Sequence, residues 1–237
     1  MTTPTLPAAA APPVVLCIGG HDPSTAGIQA DIETCIAFEC LALTVVSAWT
    51  TQNTARVKRV VPTTVDEVIA QIELLLEDFP VHACKLGLLP TAMLCERLAD
   101  LFDRRLASCP LVLDPLLRAG SGGILVQEQM AETFLRRLLP RATLVTPNRL
   151  EALHFGASEH ADEAVAHLLA SGCQSVLLTD AARRRAGHRQ STPQPRRRAG
   201  IVHHDPLPWR LPRHRLHAGD RYRVRIGVRP RRARGSN

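Results

Sequence analysis

Several residues that could bind a charged ligand come directly after short apolar segments of this chain. Gly19 and Gly20 follow the apolar run 14–18, and Asp114 follows the apolar run 111–113. A glycine turn that leads into a helix presents backbone N–H groups, which bind anions. A carboxylate at a strand end can bind Mg²⁺ through water beside a triphosphate. A tight turn that binds no ligand is the alternative interpretation of the glycine pair.

The elements predicted around these residues form a parallel α/β sheet. Short apolar runs predict strands at 14–18, 43–49, 81–86, 111–115 and 175–180. Helical spacing of apolar residues predicts helices at about 64–79, 92–106 and 160–170. Ile28, Ile32 and Ile36 predict another helix directly after the glycine turn. Loops at the carboxyl ends of such strands are where ligands bind.

Charge divides the chain into two parts. Residues 1–180 contain 12 Lys and Arg against 20 Asp and Glu, whereas residues 181–237 contain 17 Arg, no Lys and two Asp. The net charge of +7 therefore arises in the C-terminal part. Residues 1–13 contain several prolines and no basic residue, which is typical of a loose tail rather than a signal peptide. We predict a flexible tail at 1–13, one domain at 14–180 and a disordered Arg/Pro-rich tail at 181–237.

The cysteines favour a reducing compartment. All seven lie before residue 181, in apolar surroundings and without a CxxC pair. Buried, reduced thiols in a cytoplasmic protein are the prediction, in preference to a metal site. No apolar run is long enough to span a membrane.

The segment GGHDPSTAGIQAD at 19–31 resembles the opening motif of the hydroxymethylpyrimidine and phosphomethylpyrimidine kinases of thiamine biosynthesis, whose usual form is near GSDSSGGAGIQAD. The AGIQAD core is intact, while Pro23, Ser24 and Thr25 replace the glycines before it. Four further motifs follow in the family's order, namely QNT at 52–54, KLGLL at 85–89, LDP at 113–115 and TPNRLE at 146–151. The resemblance implies a ribokinase-like three-layer α/β/α sandwich with a mostly parallel central sheet, whose C-terminal part is missing or disordered here.

The resemblance also implies an activity, namely ATP-dependent phosphorylation of 4-amino-5-hydroxymethyl-2-methylpyrimidine or its monophosphate, with Mg²⁺. The residues that it assigns to the pyrimidine are Gly20, Asp22, Gln52 and Leu88. It assigns Asp114 and Glu151 to the metal, and Asn148, Glu151 and Thr179 to the nucleotide. An amide suits an aminopyrimidine because it donates and accepts hydrogen bonds together.

Simpler structural interpretations remain for some of these residues. A polar turn would account for Gln52, and a helix cap would account for the spacing of Asn148 and Glu151. Lys85 could face the same pocket or could be solvated at its strand end. The sequence alone leaves each of these alternatives open.

The family's HG[ST]GC motif is missing from this chain. In the family its N–H groups stabilise the transferring phosphoryl group, and its cysteine is the expected base. His217–Asp220 imitates the GAGD of other ribokinase-like enzymes, but no apolar helix follows, so we interpret Asp220 as a coincidence and leave the catalytic residue unknown. Residues 212–218 can be encoded as CCA CGG CAC CGG CTG CAC GCT followed by G. Read one base later, these codons give His-Gly-Thr-Gly-Cys-Thr-Leu, so we predict an out-of-frame tail and an impaired product.

Two other functions, pyridoxal phosphorylation and nucleic-acid binding, are alternatives. Pyridoxal kinases are a sister family, but QNT and AGIQAD argue against them. A non-catalytic protein could use the basic tail to bind nucleic acid. That tail contains only Trp209 and Tyr222 as aromatic residues, so base stacking has little support. The expected partners are a small pyrimidine and ATP, and a homodimer is compatible with them.

Overall fold

A computed structural model describes residues 11–23, 26–116, 130–179 and 200–203 of the chain. Its strands are β1 Val14–His21, β2 Leu41–Gln52, β3 Val57–Pro62, β4 Ala83–Leu86, β5 Leu111–Leu113, β6 Leu144–Val145, β7 Ser175–Leu178 and β8 Gly200–His203. Its helices are α1 Ile28–Ala37, α2 Val65–Asp78, α3 Ala92–Arg105, α4 Met130–Thr133, α5 Arg149–Phe155 and α6 Ala161–Ala170. Helix α4 continues as a π-helical turn, Phe134–Leu138, and a 3-10 turn, Leu139–Arg141.

The strands form one mostly parallel sheet in the order β3-β2-β1-β4-β5-β6-β7-β8. Strands β3 and β8 at the two edges run antiparallel to their neighbours β2 and β7, and the other pairs are parallel. The predicted parallel sheet is therefore confirmed. Its carboxyl edge collects the loops that follow β1, β2, β4, β5, β6 and β7.

Helices pack on both faces of the sheet. Leu16 and Ile18 of β1 belong to the main core, together with residues of α2 and α3 such as Val68 and Leu94. Helix α1 contacts β1 and β2. Since β2 and β4 lie on opposite sides of β1, right-handed connections place α1 on one face and α2 on the other. The three-layer α/β/α arrangement predicted from the sequence is confirmed.

Side-chain caps begin the helices that cross between strands. The hydroxyl of Thr64 accepts a hydrogen bond from the Glu67 N–H at 3.4 Å at the start of α2. The hydroxyl of Thr91 accepts from the Leu94 N–H at 3.2 Å at the start of α3. Caps of this kind satisfy backbone donors that the helix leaves free, and they fix where each helix starts.

Helix α3 is tied to the segment after α4 by ion pairs. Arg137 pairs with Asp100, and the Nε of Arg141 donates to Oδ1 of Asp103 at 2.7 Å. The hydrogen bond from Arg141 holds the pKa of the Asp103 carboxyl below its usual value. These groups lie at the surface, where such pairs contribute little to stability each.

Several boundaries differ from those predicted. Strand β2 extends through Gln52, so Gln52 ends a strand rather than lying in a turn. The edge strand β3 was not predicted. Helix α1 forms as predicted, but Ile36 is 70 % exposed, and the buried positions are Ile28 and Cys35.

The segment after residue 180 also differs from the prediction at one place. Strand β7 was expected to be the last strand, yet β8 pairs with it from Ser175–His203 to Leu178–Gly200. The remaining residues of the predicted tails, 1–10, 181–199 and 204–237, lie outside the described residues. Within the part of the chain that is described, no helix is both long enough and apolar enough to cross a membrane.

Candidate active site

A cavity of about 410 Å³ lies at the carboxyl edge of the sheet, beside the first turns of α1. The ends of β1, β2 and β4 and the residues after β5 form its walls. Five residues predicted from the sequence to bind substrate or metal line it: Gly20, Asp22, Gln52, Leu88 and Asp114. The structure thus brings together one predicted set of residues from four separate loops and strand ends.

The loop between β1 and α1 folds back tightly on itself. Gly27 has φ +60°, and a Cβ at this position would lie 2.3 Å from the carbonyl oxygen of Gly20. His21 and Gly27 form an isolated antiparallel bridge across the loop. Only glycine tolerates this combination of positive φ and close approach. The intact AGIQAD segment therefore shapes one wall of the cavity through its glycine.

Gln29 fixes the same loop from within. With its amide oriented to satisfy its neighbours, Gln29 donates to the carbonyl oxygens of Ala26 at 3.2 Å and Asp22 at 3.1 Å. Its oxygen accepts from Nε2 of His21 at 2.9 Å. From the neighbouring strand, the hydroxyl of Thr50 donates to the carbonyl oxygen of His21 at 2.7 Å. Asp22 is thereby held at the cavity, where it is 8 % exposed.

Leu88 forms the apolar wall opposite this loop. The buried hydroxyl of Ser47 donates to the carbonyl oxygen of Leu88. The N–H of Gly87 donates to the carbonyl oxygen of Ile18 at 2.8 Å. A Cβ at Gly20 would lie 2.8 Å from Cδ2 of Leu88, so the glycine leaves the space that the leucine fills. The wall therefore depends on complementary residue sizes in two motifs.

An ion pair that the sequence did not predict lies in the same cavity. Nζ of Lys85 is 3.0 Å from Oδ2 of Asp31, and their side chains are only 20 % and 16 % exposed. The Lys85 side chain lies over Gly87, where an added Cβ would be 2.9 Å from Nζ. The alternative that Lys85 is solvated at its strand end is therefore wrong. Asp31 is the last residue of the AGIQAD motif, and its place in that motif is the one feature of the sequence that could have identified it as a site residue.

Asp114 lies near this pair at the end of β5. Burial raises the pKa of the Asp114 carboxyl above its usual value. The positive charge of Lys85 opposes this rise, whereas the negative charge of Asp31 adds to it. The cavity lining thus contains three acids, Asp22, Asp31 and Asp114, and one base, Lys85, with an excess of negative charge when the acids are ionised.

The predicted nucleotide residues form a second group that does not line this cavity. Asn148 begins α5, where its Oδ1 accepts from the N–H of Glu151 at 3.0 Å. A carboxylate oxygen of Glu151 accepts from the N–H of Asn148 at 2.8 Å. This is a complete capping box, as the structural alternative predicted. The N–H of Thr179 donates to the carbonyl oxygen of Pro147 at 2.8 Å, which places Thr179 beside Asn148.

The two groups follow neighbouring strands of the same edge. Asp114 follows β5, while Asn148 and Thr179 follow β6 and β7. Glu151 is 3 % exposed. Among the described residues, no three or more His, Cys, Asp or Glu side chains cluster in a way that would hold a metal ion. Asp220 lies outside the described residues.

Comparison with known proteins identifies similar sequences. The sequence model of a family described as phosphomethylpyrimidine kinase matches residues 22–193. The hydroxymethylpyrimidine/phosphomethylpyrimidine kinase of Salmonella typhimurium is 35 % identical over 187 residues, which are 76 % of this chain and 68 % of that protein. The protein of the same name from Streptomyces coelicolor is 35 % identical over 184 residues, which are 75 % of this chain and 67 % of that protein.

Solved structures are similar over the same part of the chain. A phosphomethylpyrimidine kinase from Clostridium difficile has a TM-score of 0.67 and 27 % identity, and the match covers 81 % of this chain and 80 % of that one. A pyridoxal kinase from Bacillus subtilis, in complex with ADP, has a TM-score of 0.63 and 27 % identity. That match covers 71 % of this chain and 65 % of the other.

Proposed function

Because this chain belongs to the phosphomethylpyrimidine kinase family, we propose that its fold serves the transfer of a phosphoryl group from ATP to 4-amino-5-hydroxymethyl-2-methylpyrimidine or its monophosphate. One observation carries the proposal. The cavity at the carboxyl edge gathers an amide, three acids and an apolar wall from four separate motifs, in a volume suited to a small heterocycle.

The pyrimidine occupies this cavity in the proposal. Gln52 binds the polar edge of the ring, because one amide can donate to a ring nitrogen and accept from an amino group. Leu88 packs against the ring face, and Asp22 and Gly20 close the other side. Half-buried Gln52 ends the paired strand β2, so its position is set before the ligand arrives. Such preorganisation lowers the entropic cost of binding.

Mg²⁺ and the phosphates of ATP would lie at the neighbouring strand ends. The oxygen donors fit Mg²⁺, because a cation beside the buried Asp114 would offset the desolvation of its carboxylate. Asp114 and Glu151 would hold the ion through water, and the ion would neutralise charge on the phosphates. Asn148 and Thr179 present polar groups on the same side. The N-terminus of α5, a helix of seven residues, is closed by its own capping box.

The chain's own residues bind and orient the reactants in this proposal. The HG[ST]GC segment, which would supply N–H donors and the base, is absent from the translated sequence. Loss of one such donor lowers the rate by about 10²–10³. Loss of a general base lowers it by a further factor of roughly 10²–10⁴. We therefore expect the substrate to bind and turnover to be impaired.

Substitution of Gln52 tests the binding site. Gln52→Ala should weaken binding of hydroxymethylpyrimidine by about 1–3 kcal/mol, measured by isothermal titration calorimetry, because an unpaired polar edge is left in the cavity. Gln71→Ala is the matched control, since Gln71 is exposed on α2 and its side chain bonds, within the described part of the chain, to Glu67 alone. Equal affinities in the two variants would contradict the assignment of Gln52.

A frame-restored product tests the predicted impairment. The gene re-read in the shifted frame from near codon 181 should give turnover higher by two or more orders of magnitude than the 237-residue chain, because it regains the donors and the base. Both products should bind hydroxymethylpyrimidine alike. Equal turnover would mean that the tail as written is functional, and Asp220→Ala would then test Asp220 as the base.

Pyridoxal phosphorylation is the second candidate. Its support is the similarity to the pyridoxal kinase of Bacillus subtilis, whose TM-score is close to that of the phosphomethylpyrimidine kinase. Competition binding distinguishes the two substrates. We expect hydroxymethylpyrimidine to displace pyridoxal, and tighter binding of pyridoxal would favour the second candidate.

A further inference from the structure

Two thiols face each other at the amino edge of the sheet, away from the cavity. Sγ of Cys84 in β4 lies 3.6 Å from Sγ of Cys109, which precedes β5. The backbone holds the two segments side by side, since the N–H of Cys84 donates to the carbonyl oxygen of Pro110 at 2.9 Å. The thiols therefore stay neighbours because they belong to paired strands.

The two thiols differ in access to solvent. Cys84 is 1 % exposed and belongs to the main core, whereas Cys109 is half-buried and reaches solvent. The hydrogen bond from Cys84 lowers the pKa of Cys109, and that same bond, together with burial, raises the pKa of Cys84. Thiolates are the reactive form of cysteine, so Cys109 is the thiol that an external oxidant meets first.

We propose that Cys84 and Cys109 form a redox modification site, at which hydrogen peroxide converts the two thiols into a reversible disulfide. The Cys109 thiolate attacks the peroxide and becomes a sulfenic acid, with release of hydroxide. The Cys84 sulfur then attacks the sulfur of Cys109, and the hydroxyl leaves as water. Two thiols and one peroxide thus give one disulfide and two waters. A dithiol reductant reverses the reaction.

The disulfide would close a loop that contains all of α3. Cys84 lies in β4, the first strand after α2, and Cys109 lies just before β5. The bond between them would therefore tie α3 to the sheet at its amino edge. A covalent link of this kind restricts the unfolded chain. The oxidised protein should therefore unfold at a temperature several degrees higher than the reduced protein.

The test uses the full, reduced chain with one equivalent of hydrogen peroxide, followed by alkylation and mass spectrometry. The expected result is loss of two of the seven free thiols, a peptide that links Cys84 to Cys109, and recovery of both thiols with dithiothreitol. Cys109→Ser should abolish the linked peptide. Retention of seven thiols, or a sulfinic acid at Cys109 without a disulfide, would overturn the proposal.

Cys40→Ser is the matched control, because Cys40 is also half-buried but has no comparable sulfur contact among the hydrogen bonds of the described residues. This variant should form the Cys84–Cys109 link as the unmodified chain does. In the unmodified chain, a first disulfide between Cys40 and any other cysteine would show that the sulfur contact of Cys84 and Cys109 does not direct the reaction, and would refute the site. Since Cys109 lies at the surface of the core, Cys109→Ser should fold, and circular dichroism checks this.

Discussion

Replacement of Lys85 by methionine should lower the free energy of unfolding more than the loss of a cation from an exposed ion pair does. Lys85 and Asp31 are about four-fifths buried and 3.0 Å apart. Methionine keeps most of the apolar stem but leaves Asp31 and Asp114 facing the cavity without a cation. Removal of one partner from a fully buried pair costs about 3–5 kcal/mol, and exposed pairs are worth about 0–1 kcal/mol. For this intermediate burial we expect a loss of about 2–3 kcal/mol in the free energy of unfolding.

Urea denaturation followed by circular dichroism measures this loss. Arg97→Met is the matched control, because Arg97 pairs with Asp66 at 3.4 Å with side chains 47 % and 89 % exposed. It should cost less than about 0.5 kcal/mol. Asp31→Asn in the Lys85→Met background should recover part of the loss, since it removes the uncompensated charge, and the double-mutant cycle gives the coupling energy.

Two results would refute this reasoning. The first is an equal effect of Lys85→Met and Arg97→Met, which would mean that Lys85 behaves as a surface residue. The second is a double variant as unstable as the sum of the single variants, which would mean that Lys85 and Asp31 are not coupled.

Three further predictions concern the loop, the thiols and the surface. Gly27→Ala should lower the free energy of unfolding, measured by urea denaturation, by at least about 1–3 kcal/mol because of the positive φ at this position. Gly19→Ala is the control and should change it little, since a Cβ at Gly19 would lie 3.8 Å from its nearest neighbour, the Cα of Gly87. Burial raises the pKa of three thiols from 9.0 to about 12, namely Cys17, Cys95 and Cys173. Above pH 9 the unfolded chain loses these protons while the folded chain keeps them. The contribution of each thiol to the free energy of unfolding is therefore fully present below pH 9 and should fall by about 1.4 kcal/mol per pH unit up to pH 12. A free energy of unfolding that does not change between pH 9 and 11 in urea titrations would contradict this. Since the pKa of Asp103 is lowered below 3.8 in the folded state, its contribution is present at neutral pH, and the stability difference between Asp103→Asn and the unmodified chain should close as the pH falls below that value.

The central strands and the cavity could be predicted because their signals are local. Leu16 and Ile18 belong to a run that is buried on the sheet, and Asp114, which lines the cavity, directly follows the buried run of β5. Asn148 and Glu151 are one helical turn apart, so their contact follows from spacing alone. The functional roles of all these side chains stay predictions.

The features that were missed depend on tertiary structure. Strand β3 carries exposed Lys58 and Arg59 between half-buried valines, so its sequence has no apolar run. Lys85 and Asp31 are 54 positions apart, and they meet only because α1 packs on β1, which pairs with β4. Nothing in the sequence around either residue indicates that the other is its partner. Ile36 keeps helical spacing but faces solvent, because the cysteine before it takes the buried position.

The pairing of β8 with β7 bears on the gene as well as on the protein. Strand β8 lies beyond residue 180, so the end of the sheet does not coincide with the point at which the composition of the chain changes. If the tail is out of frame as predicted, the missing or extra nucleotide falls between codons 180 and 213. Sequencing of that interval from independent clones would locate the altered nucleotide. If the sequence of the interval is the same in every clone, the tail arose by evolutionary divergence and not by an error in a single base.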